Sequence, residues 1–230
     1  ITNLRGPINS VAMPALSRLQ HEPEKYRDYY LKCVALLAFV SMPLVVFMFV
    51  CTEQLIALLL GSQWLGAADI FKILAIAAFI QPVRGTSGMV LISTGQSRLY
   101  LKLGVVSSVL ICTSFVVGLP WGAKGVATGY VIINYALIIP MLFYCFKNTA
   151  IDIKDFFSAI IKPLIASISM AFGCFVTLIN MVSFNVFYAL VVCFLCSLFL
   201  YILVFSIMPG GLKSLQEYYS YGRFIFEKKN

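Results

Sequence analysis

Charge is what this sequence has least of. Of its 230 residues 11% are charged and 61% hydrophobic, against roughly 25% charged in an ordinary soluble domain. A surface in water needs polar cover that this chain does not hold. That excludes an ordinary soluble domain and points to a protein embedded in a bilayer. His21 is the only histidine, which leaves no basis for a histidine metal site or a histidine-dependent triad. Acids number nine and none lies deep in an apolar run, so a relay of buried carboxylates is not visible. The period-2 alternation of a membrane barrel is missing, and no signal-peptide pattern opens the chain. It begins with Ile1 rather than Met, and "ITNLRGPINSVAMPALS" reads as the end of something longer. The expectation is a fragment.

What is present is a series of apolar runs. Six of them, 31–50, 68–93, 101–119, 126–146, 158–181 and 184–208, approach or exceed the length that crosses the hydrocarbon layer as a helix. Helices satisfy their own backbone groups in lipid, as open sheets do not. The expected fold is therefore an all-α integral membrane protein, a polytopic helical bundle of six full spans. Residues 1–17 supply the tail of a seventh. Residues 18–32, with Tyr26, Tyr29 and Tyr30 in "HEPEKYRDYYLK", read as a cytoplasmic interfacial segment, and 31–146 as a four-span bundle. Residues 158–208 add two spans, and 209–230 form a basic cytoplasmic tail, either bound to the membrane surface or disordered.

The formal charge is +8, yet the bases sit between apolar runs. This points to anionic membrane lipids rather than nucleic acid. Their distribution alternates. Arg18, Lys25, Arg27 and Lys32 form one group, Arg98 and Lys102 the next, then Lys147, Lys154 and Lys162, then Lys213, Arg223, Lys228 and Lys229. The connections between these groups hold Lys124, with Lys72 just inside a helix. The positive-inside rule places the base-rich set, and the C-terminus, in the cytoplasm. Trp64 and Trp121 both fall on the base-poor side, where indole rings anchor at the headgroup level. Of the seven cysteines, Cys193 and Cys196 form a CxxC without a second pair nearby, and read as small apolar helix residues. No cofactor is implied.

One polar stretch interrupts this pattern. "IAAFIQPVRGTSGMVL" places Gln81, Pro82 and Arg84 inside a span. A loop there would invert the charge parity of every later connection, so Arg84 belongs to the membrane-embedded helix. At that depth an arginine costs roughly 2.5–3.5 kcal/mol on insertion scales. It therefore faces a cavity or a partner, with Gln81 beside it. Arg5, followed by Pro7, lies at similar depth if residues 1–17 span. Pro43, Pro82 and Pro140 mark helix kinks. Asn134 is placed to hydrogen-bond between helices, and Asp69 and Lys72 are spaced to pair with each other. Basic residues at depth without acids suit an anionic substrate.

The order of "MPALSRLQHEPEKYRDYYLK", "SMPLVVFMFVCTEQLIALLLGSQWLGAADIFKILAI", "GQSRLYLKLGVV" and "GAKGVATGYVI" resembles the C-terminal half of bacterial polysaccharide flippases. These belong to the multidrug, oligosaccharidyl-lipid and polysaccharide exporter superfamily. The likeness runs from about residue 9 to 146 and rests on Pro14, Leu16 and Ser17, on Gly61 and Trp64, and on Gly122, Gly125, Val126 and Ala127. It implies two helical bundles around a cavity that opens to either side in turn. The substrate it implies is an undecaprenyl-diphosphate-linked sugar unit, and the location the inner membrane. The implied partners are an N-terminal half outside this sequence and other polysaccharide-assembly proteins. A multidrug exporter of the same superfamily, a membrane enzyme such as a polymerase or acyltransferase, and a non-transporting scaffold are the other readings. The topology has a direct check. In a background without native cysteines, a single cysteine near Gly61 is expected to label from outside intact spheroplasts, and one near Lys154 is not. The reverse pattern overturns the orientation.

Overall fold

A computed structural model describes residues 12–181 and 185–217. Arg5, Pro7, the 182–184 connection and the basic residues beyond 217 lie outside the described residues. Short helices α1 (12–19) and α11 (211–217) flank nine others. These are α2 (Pro23–Val50), α3 (Thr52–Leu59), α4 (Ala68–Arg84), α5 (Ser87–Ser93), α6 (Ser97–Gly118), α7 (Gly122–Ala136), α8 (Ile138–Phe146), α9 (Ile153–Asn180) and α10 (Val186–Ile207). Two 3₁₀ turns, Ser62–Ala67 and Leu119–Trp121, carry the tryptophans. Among the described residues there is no strand. Among the same residues five helical stretches are long and apolar enough to cross a membrane. The third, 97–146, folds back on itself at Gly122, so that α6 and α7 pack side by side.

The reversals explain the glycine motifs. Gly61 and Gly122 adopt φ values of +93° and +64°, a region that penalises a Cβ. At Gly125 a Cβ would overlap the carbonyl oxygen of Gly118, so this turn closes only without a side chain. Leu16, from the Pro-x-Leu-Ser piece, is fully buried in the main core with Tyr30, Leu91, Leu142 and Phe156.

Packing runs in a row. α9 lies against α2 and α10, α2 against α4, α4 against α7, and α7 against α6. The outward faces carry Val105, Val109, Phe172, Phe175, Phe187 and Phe199, all exposed. A bundle with this much apolar surface turned outward is at home in hydrocarbon. Ion pairs fix which helix ends lie together. Arg27 grips Asp155 through two hydrogen bonds of 2.8 Å, and Lys32 lies 3.6 Å from Glu217. At the opposite end Lys72 meets Glu53 and Lys124 meets Asp69, both at 2.6 Å. The base-rich segments therefore share one end, and Trp64 and Trp121, exposed on their turns, share the other.

Two expectations are corrected here. Asp69 and Lys72 do not pair with each other; each reaches a different element, because partners across a gap cross-link helices that i,i+3 neighbours cannot. Tyr26 and Tyr30 are buried, and their hydroxyls bond Ser93 (2.7 Å) and Thr86 (2.9 Å), tying α2 to the α4–α5 segment. Helix α2 also runs unbroken from Pro23, with no separate surface helix before the span.

The prolines leave different marks. Pro140 has no N–H for the carbonyl of Ala136, and α7 ends at that residue. Helix α2 stays continuous through Pro43. There the carbonyl four residues back, on Phe39, accepts a hydrogen bond from the Tyr201 hydroxyl of α10 at 2.9 Å. Tyr201 is almost fully buried and packs on Phe39 and Phe205. Tyr201→Phe is expected to destabilise the bundle by about 1 kcal/mol. In a Pro43→Ala background, where a backbone N–H serves that carbonyl, the same change is expected to cost much less. Thermal unfolding in detergent of the four proteins of this cycle measures the coupling.

Candidate functional site

Helix α4 descends from the tryptophan end, and Arg84 closes it about 24 Å below Ala68 at 1.5 Å per residue. The other end, at Ser93, is about 13 Å further on. Residues 85 and 86 form a turn before α5 begins. The Gly85 N–H reaches back to Gln81 O (3.1 Å), and the Ser87 hydroxyl donates to the Arg84 carbonyl (2.6 Å). Pro82 contributes no N–H to this region. The helix break thus sits inside the bundle and carries the half-buried Arg84 with it.

The facing helix meets this break with neutral polar groups. Arg84 Nη1 donates to Asn134 Oδ1, and Asn134 Nδ2 donates to the carbonyl of Tyr130 at 2.8 Å. Gln81 Nε2 donates to the Tyr130 hydroxyl at 2.8 Å. Further up, the Tyr135 hydroxyl donates to the Ile76 carbonyl at 2.9 Å. With Lys124–Asp69, these contacts form a polar seam along the α4–α7 interface. None of the five ion pairs among the described residues involves Arg84. Among the described residues the guanidinium is therefore oriented by an amide but not neutralised. Asn134, 3% exposed, is fixed at both ends of its side chain.

Of the residues singled out from sequence, the structure brings Gln81, Pro82 and Arg84 together. Arg5 lies outside the described residues, and Trp64 and Trp121 sit on the turns at the far end. Asn134 does bond between helices, and its partner is Arg84. Tyr130 and Tyr135 were missed. The signal for Tyr130 was available: Gln81 and Arg84 are three apart, Tyr130 and Asn134 four apart, so each pair lies on one helix face. A crevice of about 530 Å³ between α4, α6 and α7, lined by Leu74, Phe115 and Tyr130, leads toward this seam from the tryptophan end. A second groove, about 740 Å³, runs along α6 and α7 beside Trp121 and is almost wholly apolar. Among the described residues no group of three or more His, Cys, Asp or Glu side chains is placed to hold a metal.

A family model described as polysaccharide biosynthesis protein matches residues 1–69. The chain is 28% identical over 175 residues to the teichuronic acid biosynthesis protein TuaB of Bacillus subtilis (strain 168), covering 72% of this chain and 35% of that protein. It is 22% identical over 141 residues to the lipopolysaccharide biosynthesis protein WzxC of Escherichia coli (strain K12), covering 61% and 29%. It thus spans about a third of the length of the curated relatives it matches. Among solved structures it is similar to the lipid II flippase MurJ in its inward closed conformation. The TM-score is 0.62 at 17% identity, over 87% of this chain and 42% of that one. The last likeness shows the fold: these helices take the arrangement of part of a flippase. The resemblance read from the motifs is borne out, and the structural match reaches past the four spans to which the motifs were confined.

The seam makes a stability prediction. Asn134→Ala removes the acceptor of a charged donor and is expected to cost about 1.5–3 kcal/mol. Asn134→Asp supplies a charged acceptor instead and is expected to retain more stability than the alanine variant. Thermal unfolding in detergent, with abundance in membranes, ranks the two.

Proposed function

We propose that this chain is part of a transporter that moves an undecaprenyl-diphosphate-linked oligosaccharide across the bacterial inner membrane by alternating access. In this reading Arg84 faces the central cavity and contacts the diphosphate. The observation that carries it is a guanidinium deep in an apolar bundle, held by Asn134 and left without an acid among the described residues. Such a group keeps its charge for a ligand, and its planar fork suits phosphate oxygens. Gln81, locked to Tyr130, stiffens the same face. The similarity to TuaB, a teichuronic acid biosynthesis protein, to WzxC, a lipopolysaccharide biosynthesis protein, and to the lipid II flippase MurJ supports a substrate of this class. Arg5 on the first span, and an N-terminal half, complete the cavity in this reading. The base-rich end and the C-terminus face the cytoplasm, and Trp64 and Trp121 mark the outer interface.

The other readings fit less well. A carrier of cationic drugs calls for acids in the cavity, and the described spans offer none at the depth of Arg84. An enzyme calls for a reactive polar loop. Glu53, on the short connections of the tryptophan end, is engaged by Lys72.

The test uses the full-length protein in a strain lacking its own flippase. Losing charge-assisted hydrogen bonds of roughly 1.5–3 kcal/mol corresponds to about a ten- to hundredfold loss of rate. Arg84→Ala is expected to lower export of surface polysaccharide by about that factor at normal abundance. Arg84→Lys should keep part of the activity, since charge remains while the fork is lost. Arg84→Glu should be the worst, since it repels phosphate. Normal export by a stably expressed Arg84→Ala variant removes Arg84 from the substrate path. A fall in abundance that matches the fall in export assigns it a structural role instead.

A further inference from the structure

Three of the seven cysteines gather where α2, α9 and α10 meet. Cys51 caps the end of α2, Cys174 lies on α9 and Cys193 on α10, and all three are fully buried. The sulfurs of Cys51 and Cys174 are 3.5 Å apart, although 123 residues separate them in the chain. Cys193 lies beside this pair and accepts a hydrogen bond from the Thr177 hydroxyl at 3.4 Å. Its CxxC neighbour Cys196 is exposed, on the outer face of α10, and takes no part. The remaining cysteines are dispersed: Cys33 and Cys145 belong to the other core, and Cys112 is exposed.

We propose that Cys51 and Cys174 form a disulfide that joins α2 to α9 at the tryptophan end of the bundle. Two buried thiols in direct contact on different helices need only a small side-chain adjustment to reach bonding distance, whereas packing alone places no demand on a sulfur pair. The site lies at the correct end for this chemistry. Cys51 is two residues from Glu53, which pairs with Lys72. Cys174 is about 9 Å from the end of α9 at Asn180. On the orientation proposed above, which this inference assumes, that end faces the oxidising side of the membrane, where disulfides persist. In the reaction the two S–H bonds are lost and one S–S bond forms. The two electrons and two protons pass to an external disulfide, which leaves as two thiols. Because both sulfurs are enclosed in the finished bundle, exchange takes place before α10 packs over them, and the product is then shielded from reduction. The bridge pins α2 to α9 and does not cross the α4–α7 seam.

The test is peptide mapping of the full-length protein from cells quenched in acid and alkylated with N-ethylmaleimide. The expected result is a Cys51 peptide linked to a Cys174 peptide. The link should disappear on reduction and in Cys51→Ser, and survive in Cys193→Ser. Alkylation of both thiols in quenched cells, or a link to Cys193 instead, overturns the proposal. Adding diamide to cells during synthesis of the protein, before the bundle closes over the sulfurs, then locates the fault. A Cys51–Cys174 link formed only by diamide faults the orientation. No such link even with diamide faults the geometry of the pair.

Discussion

A polar group inside a hydrocarbon-facing bundle has to find its partner on a neighbouring helix, and this requirement organises the structure. Water is not there to satisfy it. Several of the described helix junctions show the consequence, while Ser167 and Ser197, buried on α9 and α10, go without a hydrogen-bond partner among the described residues. Tyr26 and Tyr30 of α2 are answered by Ser93 and Thr86, the Phe39 carbonyl behind Pro43 by Tyr201, and Gln81 and Arg84 by Tyr130 and Asn134. Apolar contact alone discriminates poorly between helices in lipid, since tails and side chains are equally apolar. The few polar pairs therefore do much to set which helix lies beside which. They also explain why α4 sits between α2 and α7: it is bonded on both sides, at its break.

That break is the structural counterpart of the one anomalous stretch in the sequence. A helix interrupted by Pro82 and Gly85 exposes backbone that must be served locally, and Ser87 takes up the Arg84 carbonyl. The same interruption frees the helix from a straight path, so α5 turns to meet Tyr26 through Ser93 and lies against α6 and α8. Gly88 on α5 lies against the Tyr100 ring of α6, where a Cβ would press within 3.0 Å. One irregular turn thus places a charge at depth and closes the base-rich core at the same time.

Much of this was legible in the chain. Apolar length located the helices, and alternation of bases located their ends. The ion pairs of the structure group those ends as the alternation requires. What escaped was partner identity. Asp69 and Lys72 are close in sequence and look like a pair, but sequence spacing cannot weigh Lys124 and Glu53 arriving from other elements. Tyr26 and Tyr30 look like interface anchors because tyrosine suits both a headgroup layer and a core with a hydroxyl partner. Nothing local to them names Ser93 and Thr86 as the partners of their hydroxyls. Asn134 was recognised as an interhelical donor or acceptor, but nothing local to it names Arg84, 50 residues earlier.

The choice of an amide opposite Arg84 bears on what the site can do. An aspartate there would form a strong buried pair, and a buried arginine already neutralised has little charge left to offer. A leucine would leave the guanidinium donors unserved, at the full desolvation cost. Asparagine lies between these limits. It fixes the direction of the guanidinium through one oxygen while leaving four of its five N–H donors and its whole charge to whatever enters beside it. Asn134 is itself held through Tyr130, whose hydroxyl also holds Gln81, so the orientation is set by a network rather than by one bond. A pre-oriented cation without an acid partner among the described residues, in a helix that is already broken, is the arrangement that the anionic ligand proposed above would complete.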